Sequence, residues 1–197
     1  MVTAHQTLEG QHIAIGISGG IACYKIATLV SALVQKGALV DVLMTEAACK
    51  FISPLTFSSL TGKPVLDSQW THIDGYEPQH IKIANRASLL MVAPCTMNML
   101  AKLSNGMTDD PISLVASAID RERTPVILAP SMNKTMYEQP ATMRNIAVLK
   151  QDNFNVVDAE SGWQACRAVG AGRMPEPDTL LEIALESLTP RLLHADQ

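Results

Sequence analysis

Two apolar runs in this chain end in nearly the same words: Leu89-Leu90-Met91-Val92-Ala93-Pro94-Cys95-Thr96-Met97-Asn98, and Pro125-Val126-Ile127-Leu128-Ala129-Pro130-Ser131-Met132-Asn133. Each reads as a fully buried strand, with proline stopping the ladder and a neutral amide just beyond it. In a parallel sheet both strands point the same way, so Asn98 and Asn133 are expected on one edge. That edge is where open α/β sheets place their ligands. Asparagine offers a donor and an acceptor, which suits a planar heterocycle or a carboxylate better than a metal or a proton-transfer step. Each Asn can also serve simply as the cap of the next helix. The repetition favours a binding edge.

The rest of the chain supplies the partners such strands need. His12 to Ser18 is a β-branched run that predicts a first strand. Gly20 to Lys36 carries apolar residues at helical spacing and is closed by Gly37. Leu39 to Met44 predicts a second strand with Thr45 at its end. A helical stretch follows, broken at Pro54 and again around Gly62-Lys63-Pro64, and Trp70 to Gln79 reads as loop. Beyond the Ser88 to Ala93 strand come two helical segments through Asp120, and then the Pro125 to Ala129 strand. A Pro140 to Lys150 helix and a short Asn155 to Val157 strand follow. Ser161 to Pro177 is glycine-rich and reads as irregular, and Asp178 to Leu188 as a final helix capped by Asp178. Alternating strands and helices predict βαβ units and a doubly wound parallel sheet in one α/β domain spanning 1–197, with its core at about 11–188.

Composition narrows the function classes. The 197 residues suffice for one core. With 47% hydrophobic and only 17% charged residues, some surface is expected to be buried against other copies. A net charge of −4 gives no electrostatic case for nucleic acid or for an anionic membrane. The apolar stretches are strand-sized, and Met1 to Gln11 lacks the pattern of a signal peptide. Cys23, Cys49, Cys95 and Cys166 show neither CxxC pairing nor His at ligand spacing, so no metal site is expected and a reducing cytoplasm fits best.

Three segments carry candidate chemistry. In the first strand-to-helix turn, Gly16-Ile17-Ser18-Gly19-Gly20, glycines let the backbone approach an anion at the start of the helix. It is not a GxGxxG fingerprint, and a hydroxyl at Thr45 suits a terminal phosphate better than a ribose diol. A mononucleotide such as FMN therefore fits better than NAD. His80 is of the residue type that can orient or protonate a substrate, although a lone histidine can equally be structural. Cys166 lies in the glycine-rich stretch with Arg167 and Arg173 nearby, cations that stabilise a thiolate or bind an anion. The other reading is a surface loop with an incidental thiol. The three remaining cysteines read as packing residues.

Gly16-Ile17-Ser18-Gly19-Gly20-Ile21-Ala22, His80-Ile81, Ala93 to Asn98, Pro130-Ser131-Met132-Asn133 with Met136, and Ala165-Cys166 followed by Gly170 to Met174 occur in a familiar order. The chain resembles the flavin-containing cysteine decarboxylases over roughly Gln11 to Leu188. Within them it is most similar to the branch that acts on phosphopantothenoylcysteine in coenzyme A biosynthesis. The resemblance implies a flavodoxin-like (Rossmann-like) sheet assembled as trimers, in some members four trimers, with FMN at the subunit boundary. Gly16, Ser18, Gly19 and Thr45 would then hold the FMN phosphate, and Thr96, Met97, Asn98 and Met99 would line the cofactor. His80 would be the active-site base, Asn133 (with Met132 and Arg173 beside it) the clamp on the substrate, and Cys166 the proton donor.

The implied reaction makes sense of these residue types. A simple carboxylate loses CO₂ only if the charge left behind has a sink. Oxidation of the cysteine thiol to a thioaldehyde provides that sink, and the resulting ene-thiol is reduced again afterwards, so no nicotinamide is needed. Two departures stand out. The family's flavin motif usually reads Pro-x-Ser-Ala-Asn-Thr, whereas Pro94-Cys95-Thr96-Met97-Asn98-Met99 keeps only a hydroxyl and the amide. Its flap usually continues Cys-Gly-Asp, whereas Cys166-Arg167-Ala168 sets a bulky cation beside the thiol. Many bacterial relatives carry a synthetase domain after the decarboxylase. This sequence ends at Gln197, so any ligase step is expected on another polypeptide. Three alternatives stay open: a peptidyl-cysteine decarboxylase of lanthipeptide type, a flavin prenyltransferase, and a non-catalytic FMN-binding regulatory subunit.

Overall fold

The β-branched run near the amino end forms β1 (His12–Ile17), and the helical pattern after it forms α1 (Cys23–Gln35). The structure is a computed structural model and describes residues 7–70, 77–165, 167 and 169–195. Residues 71–76, most of the expected loop, and Cys166 lie outside the described residues. The chain continues through β2 (Leu39–Met44), α2 (Glu46–Cys49), α3 (Pro54–Thr61), α4 (Gln79–Arg86), β3 (Leu89–Cys95), α5 (Met97–Ser104) and α6 (Pro111–Ala118). It then forms β4 (Val126–Pro130), α7 (Lys134–Tyr137), α8 (Pro140–Gln151), β5 (Asn155–Val156), β6 (Glu160–Trp163), β7 (Val169–Arg173) and α9 (Pro177–Ala195).

Among the described residues the main sheet has the order β2-β1-β3-β4-β5, with every neighbouring pair parallel. Side chains along a strand alternate between its faces. Ile13, Ile15, Met91 and Ile127 accordingly pack beneath α1, α3 and α9. Ala14, Leu90, Val92 and Leu128 pack beneath α4, α5, α6 and α8. Both faces are covered, so the strands read as continuous apolar runs. In α1 the buried residues Cys23, Ile26, Leu29, Val30 and Leu33 form the stripe that the helical spacing predicted. Helix α4 is fixed at its carboxyl end, where Arg86 meets the buried Asp41 of β2 at 2.6 Å and Lys63 meets it at 3.1 Å. Among the described residues no helix is long and apolar enough to cross a membrane.

Three local expectations are corrected, and one residue without an assigned element finds its place. Pro94 does not stop β3: the register shifts between Val92↔Leu128 and Cys95↔Pro130, so β3 carries one extra residue there and runs on to Cys95. A bulge is where a residue without an N–H is tolerated inside a sheet. The glycine-rich 161–177 stretch is not irregular, because β6 and β7 pair there as an antiparallel hairpin. Its glycines mark close backbone approach. A Cβ on Gly170 would lie 2.6 Å from Cδ of Lys134, and one on Gly172 would lie 2.5 Å from the carbonyl oxygen of Met132. His80, which follows the expected loop, lies in the first turn of α4. Helix α9 starts at Pro177, which places Asp178 within its first turn and not at its cap.

Candidate functional site

In a sheet of this order the strand sequence reverses between β1 and β3, and the crevice beyond their carboxyl ends is the natural ligand position. Ser18 joins the two ends there. Its N–H and its hydroxyl both donate to the carbonyl oxygen of Pro94, at 3.2 and 2.7 Å, and Oγ accepts the Thr96 N–H at 2.9 Å. Thr96 in turn caps α5, its Oγ1 accepting from the Met99 N–H. Thr45 likewise caps α2, accepting from Ala48. A Cβ on Gly19 would fall on the Cβ of Ala47 and 2.9 Å from its carbonyl carbon, so only glycine lets the turn lie against α2. The amino end of α1 carries no side-chain cap and no acidic residue in its first turn. The Cys23 and Lys25 N–H groups bond back to the Gly20 and Ala22 carbonyls, and with no side chain capping the turn the other leading amides suit an anion.

The crevice opens into a cleft of about 1140 Å³. Its far side starts from β4. Ser131 N–H donates to the Cys95 carbonyl, and Asn133 caps α7 through Oδ1, which accepts the Met136 N–H at 2.8 Å. The hairpin is docked on this loop. Met132 N–H donates to the Gly172 carbonyl, and the buried Gln164 donates to the carbonyls of Met132 and Ala171 while accepting the Lys134 N–H. Trp163 on β6 stays 63% exposed while lining the cleft mouth.

Charge in the cleft wall is divided. On one side Lys102 lies 2.7 Å from Asp109 and 2.8 Å from Asp110, and the other oxygen of Asp110 caps α6. Burial pushes the Lys102 ammonium down, but the hydrogen bonds to Asp109 and Asp110 outweigh it, so its pKa is raised. The same bond from Lys102 lowers that of Asp109. On the other side Lys25 and Arg173 share the carboxylate of Glu176, whose pKa is lowered first by the Lys25 hydrogen bond.

Of the residues singled out in the sequence, Ser18, Gly19, Thr45, Thr96, Met97, Asn98, Met99, Met132, Asn133 and Arg173 line this one cleft. Gly16 does not line it. Gly16 is buried beneath α6, where a Cβ would lie 2.9 Å from Cγ2 of Ile112, so its smallness serves helix packing. His80 is half-buried on α4 and is not among the lining residues. Cys23, Cys49 and Cys95 are free thiols; Cys23 and Cys95 are buried, and burial pushes both of their pKa values up.

Lys25, Lys102, Asp109, Asp110 and Gln164 were missed. Lys25 had a signal: a cation in the first turn of a helix opposes the helix dipole and calls for another reason to be there. Asp110-Pro111 had one too, as an N-cap followed by proline. Gln164 had none, because its role depends on the hairpin pairing.

A flavodoxin-like α/β sheet with a ligand cleft at its β1/β3 switch point is the class of protein this architecture defines. The profile of the flavoprotein family matches residues 1–189, and the chain belongs to that family. It is 42% identical over 188 residues to the coenzyme A biosynthesis bifunctional protein CoaBC of Vibrio parahaemolyticus, a match covering 95% of this chain and 46% of that relative. The chain thus spans about half the length of the curated relatives it matches. A solved PPC decarboxylase mutant complexed with pantothenoylaminoethenethiol superposes with a TM-score of 0.78 at 24% identity, over 88% of this chain and 96% of that one. TvaF, an FMN-dependent cysteine decarboxylase from thioviridamide biosynthesis, superposes with a TM-score of 0.73 at 25% identity, over 91% and 98%.

Proposed function

We propose that this chain binds FMN in the switch-point cleft and decarboxylates phosphopantothenoylcysteine to phosphopantetheine, as a carboxy-lyase of coenzyme A biosynthesis. The observation that carries the reading is the pairing, within one cleft, of an uncapped α1 amino end with an oriented Asn133 amide. The residues present fit the cofactor. The amides after Gly19 and the Thr45 and Thr96 hydroxyls suit its phosphate, and Ile21, Met97 and Met132 offer apolar surface to its ring system. FMN supplies the two-electron acceptor and donor that the thiol oxidation and the later reduction require.

The chain's own groups do the rest. Because Oδ1 of Asn133 is engaged by the Met136 N–H, its Nδ2 is left to donate to the substrate carboxylate. Holding that carboxylate in an apolar surround favours its departure as neutral CO₂. His80 orients the substrate thiol and takes its proton, and Cys166, between β6 and β7, returns a proton to the ene-thiol carbon. Since His80 does not line the cleft of its own chain, the working site is completed by a neighbouring copy, in a trimer or a multiple of three. Likeness to the cysteine decarboxylase TvaF, at 25% identity, makes a peptide ending in cysteine the competing substrate to assay.

FMN-loaded protein incubated with phosphopantothenoylcysteine is expected to release CO₂ and form phosphopantetheine, with little turnover of the peptide. His80→Asn is expected to keep its flavin and lose at least about 100-fold in turnover. Activity within about tenfold of the parent, roughly 1.4 kcal/mol of barrier, removes His80 from the chemistry. No CO₂ from either substrate overturns the reading.

A further inference from the structure

Lys25 and Arg173 are drawn to one point of the cleft wall from distant parts of the chain. Lys25 comes from α1 and Arg173 ends β7, yet Nζ of Lys25 lies 2.7 Å from Oε1 of Glu176 and Nη2 of Arg173 donates to the same oxygen. The Lys25 side chain is only 15% exposed. One carboxylate between two cations leaves a surplus of one positive charge. Elsewhere in the cleft lining, Lys102 between Asp109 and Asp110 leaves a surplus of one negative charge, and the Lys50–Glu46 pair cancels. The wall is therefore polarised, with its positive end where α1, β7 and the start of α9 meet.

Lysine carries three donors and arginine five in a fixed fork, and Glu176 engages one from each. An ammonium beside a guanidinium fork matches the oxygens of a phosphate monoester. We propose that Lys25 and Arg173 form a phosphate-monoester subsite of this cleft, with Glu176 as the positioning carboxylate between them. It rests on the decarboxylase reading only for naming the ligand. Two phosphates are then in play, that of the substrate's pantothenoyl end and that of FMN. Arg173 sits on the hairpin, and the first turn of α1 already offers amides to the cofactor. The substrate phosphate is therefore the closer match.

Two ratios test the subsite in Lys25→Gln. One is kcat/KM for phosphopantothenoylcysteine over that for its unphosphorylated analogue, and the other is the affinity for FMN over that for riboflavin. Losing a charge-assisted contact is expected to lower one ratio by about 10- to 100-fold. A fall in the first assigns the site to the substrate, and a fall in the second assigns it to the cofactor. Lys25→Arg is expected to retain the ratio. Glu176→Gln keeps an oxygen acceptor and both cations but removes the charge that positions them, so phosphate discrimination is expected to fall less than in Lys25→Gln. Equal loss in Lys25→Gln and Glu176→Gln, or no change in either ratio, overturns the subsite and leaves the cluster as a structural tie. If the parent turns over neither cysteine substrate, the functional reading falls by itself. The subsite is then judged from the FMN and riboflavin ratio and from calorimetric binding of phosphopantetheine against pantetheine to the FMN-loaded protein.

Discussion

On the floor of the cleft Ser18 is 1% exposed, and its short hydrogen bonds to Pro94 and Thr96 connect two central strands. On the hairpin Val169 is 69% exposed, and the anchors are one glutamine, one glycine contact and an ion pair open to solvent. Buried bonds of the first kind cost a full desolvation penalty when broken. An ion pair of the second kind exchanges readily for water, and a segment whose one buried side-chain anchor is Gln164 opens at lower free energy than the floor. The floor is thus built to hold a cofactor in fixed geometry, and the hairpin to part from the floor while the domain stays folded. The proposed decarboxylation, in which a substrate enters and leaves over a retained flavin, would use both.

The largest expected effect tests the rigidity of the floor. In Gly19→Ala the new methyl overlaps Ala47 and meets its backbone carbon, which cannot rotate away. A loss of about 3 kcal/mol in urea unfolding is expected, together with loss of flavin. A change under about 0.5 kcal/mol would mean the turn and α2 slide apart freely.

Gly172→Ala places the same methyl in the hairpin. It lies 2.5 Å from the Met132 carbonyl oxygen at a backbone φ of +111°, so the hairpin must lift. Here turnover is expected to fall by about 30-fold, near 2 kcal/mol of barrier, while flavin content and the urea midpoint stay close to the parent's. Global destabilisation equal to that of Gly19→Ala would erase the distinction between the two regions.

Much of the floor was legible because its signals are local. The β-branched runs, the Gly37 stop and the Thr45 and Thr96 hydroxyls each report on their own neighbourhood. The doubled Pro-to-Asn wording was legible as a binding edge but misleading in detail. The cap of α5 is Thr96, two residues before Asn98, whereas that of α7 is Asn133 itself. The hairpin was not legible. Its glycines were read as irregularity, when what they permit is approach to Met132 and Lys134, residues far away in sequence. The place of His80 was not legible: it lies in the first turn of α4, outside the lining of this cleft.

The smallest effect separates the regions most cleanly. Arg167 has φ +64°, and it is one of two described non-glycine residues in the left-handed region; the other, Asn153 at +62°, is of a type that tolerates it. An arginine there costs about 1 kcal/mol against glycine, partly offset by the freedom glycine gains when unfolded. Arg167 is exposed, and its N–H donates to the Gln164 carbonyl at 2.9 Å, so its strain lies between the two strands of the hairpin. If the hairpin opens on its own, relieving that strain stabilises the hairpin and not the domain. Arg167→Gly is therefore expected to slow hydrogen exchange at Gly162 and Gly170 by a few-fold, with urea unfolding unchanged within about 0.3 kcal/mol. Asn153→Gly should leave hairpin exchange alone. A matching rise in global stability for Arg167→Gly would show that the hairpin unfolds only with the sheet, and the contrast between floor and wall would then be one of exposure alone.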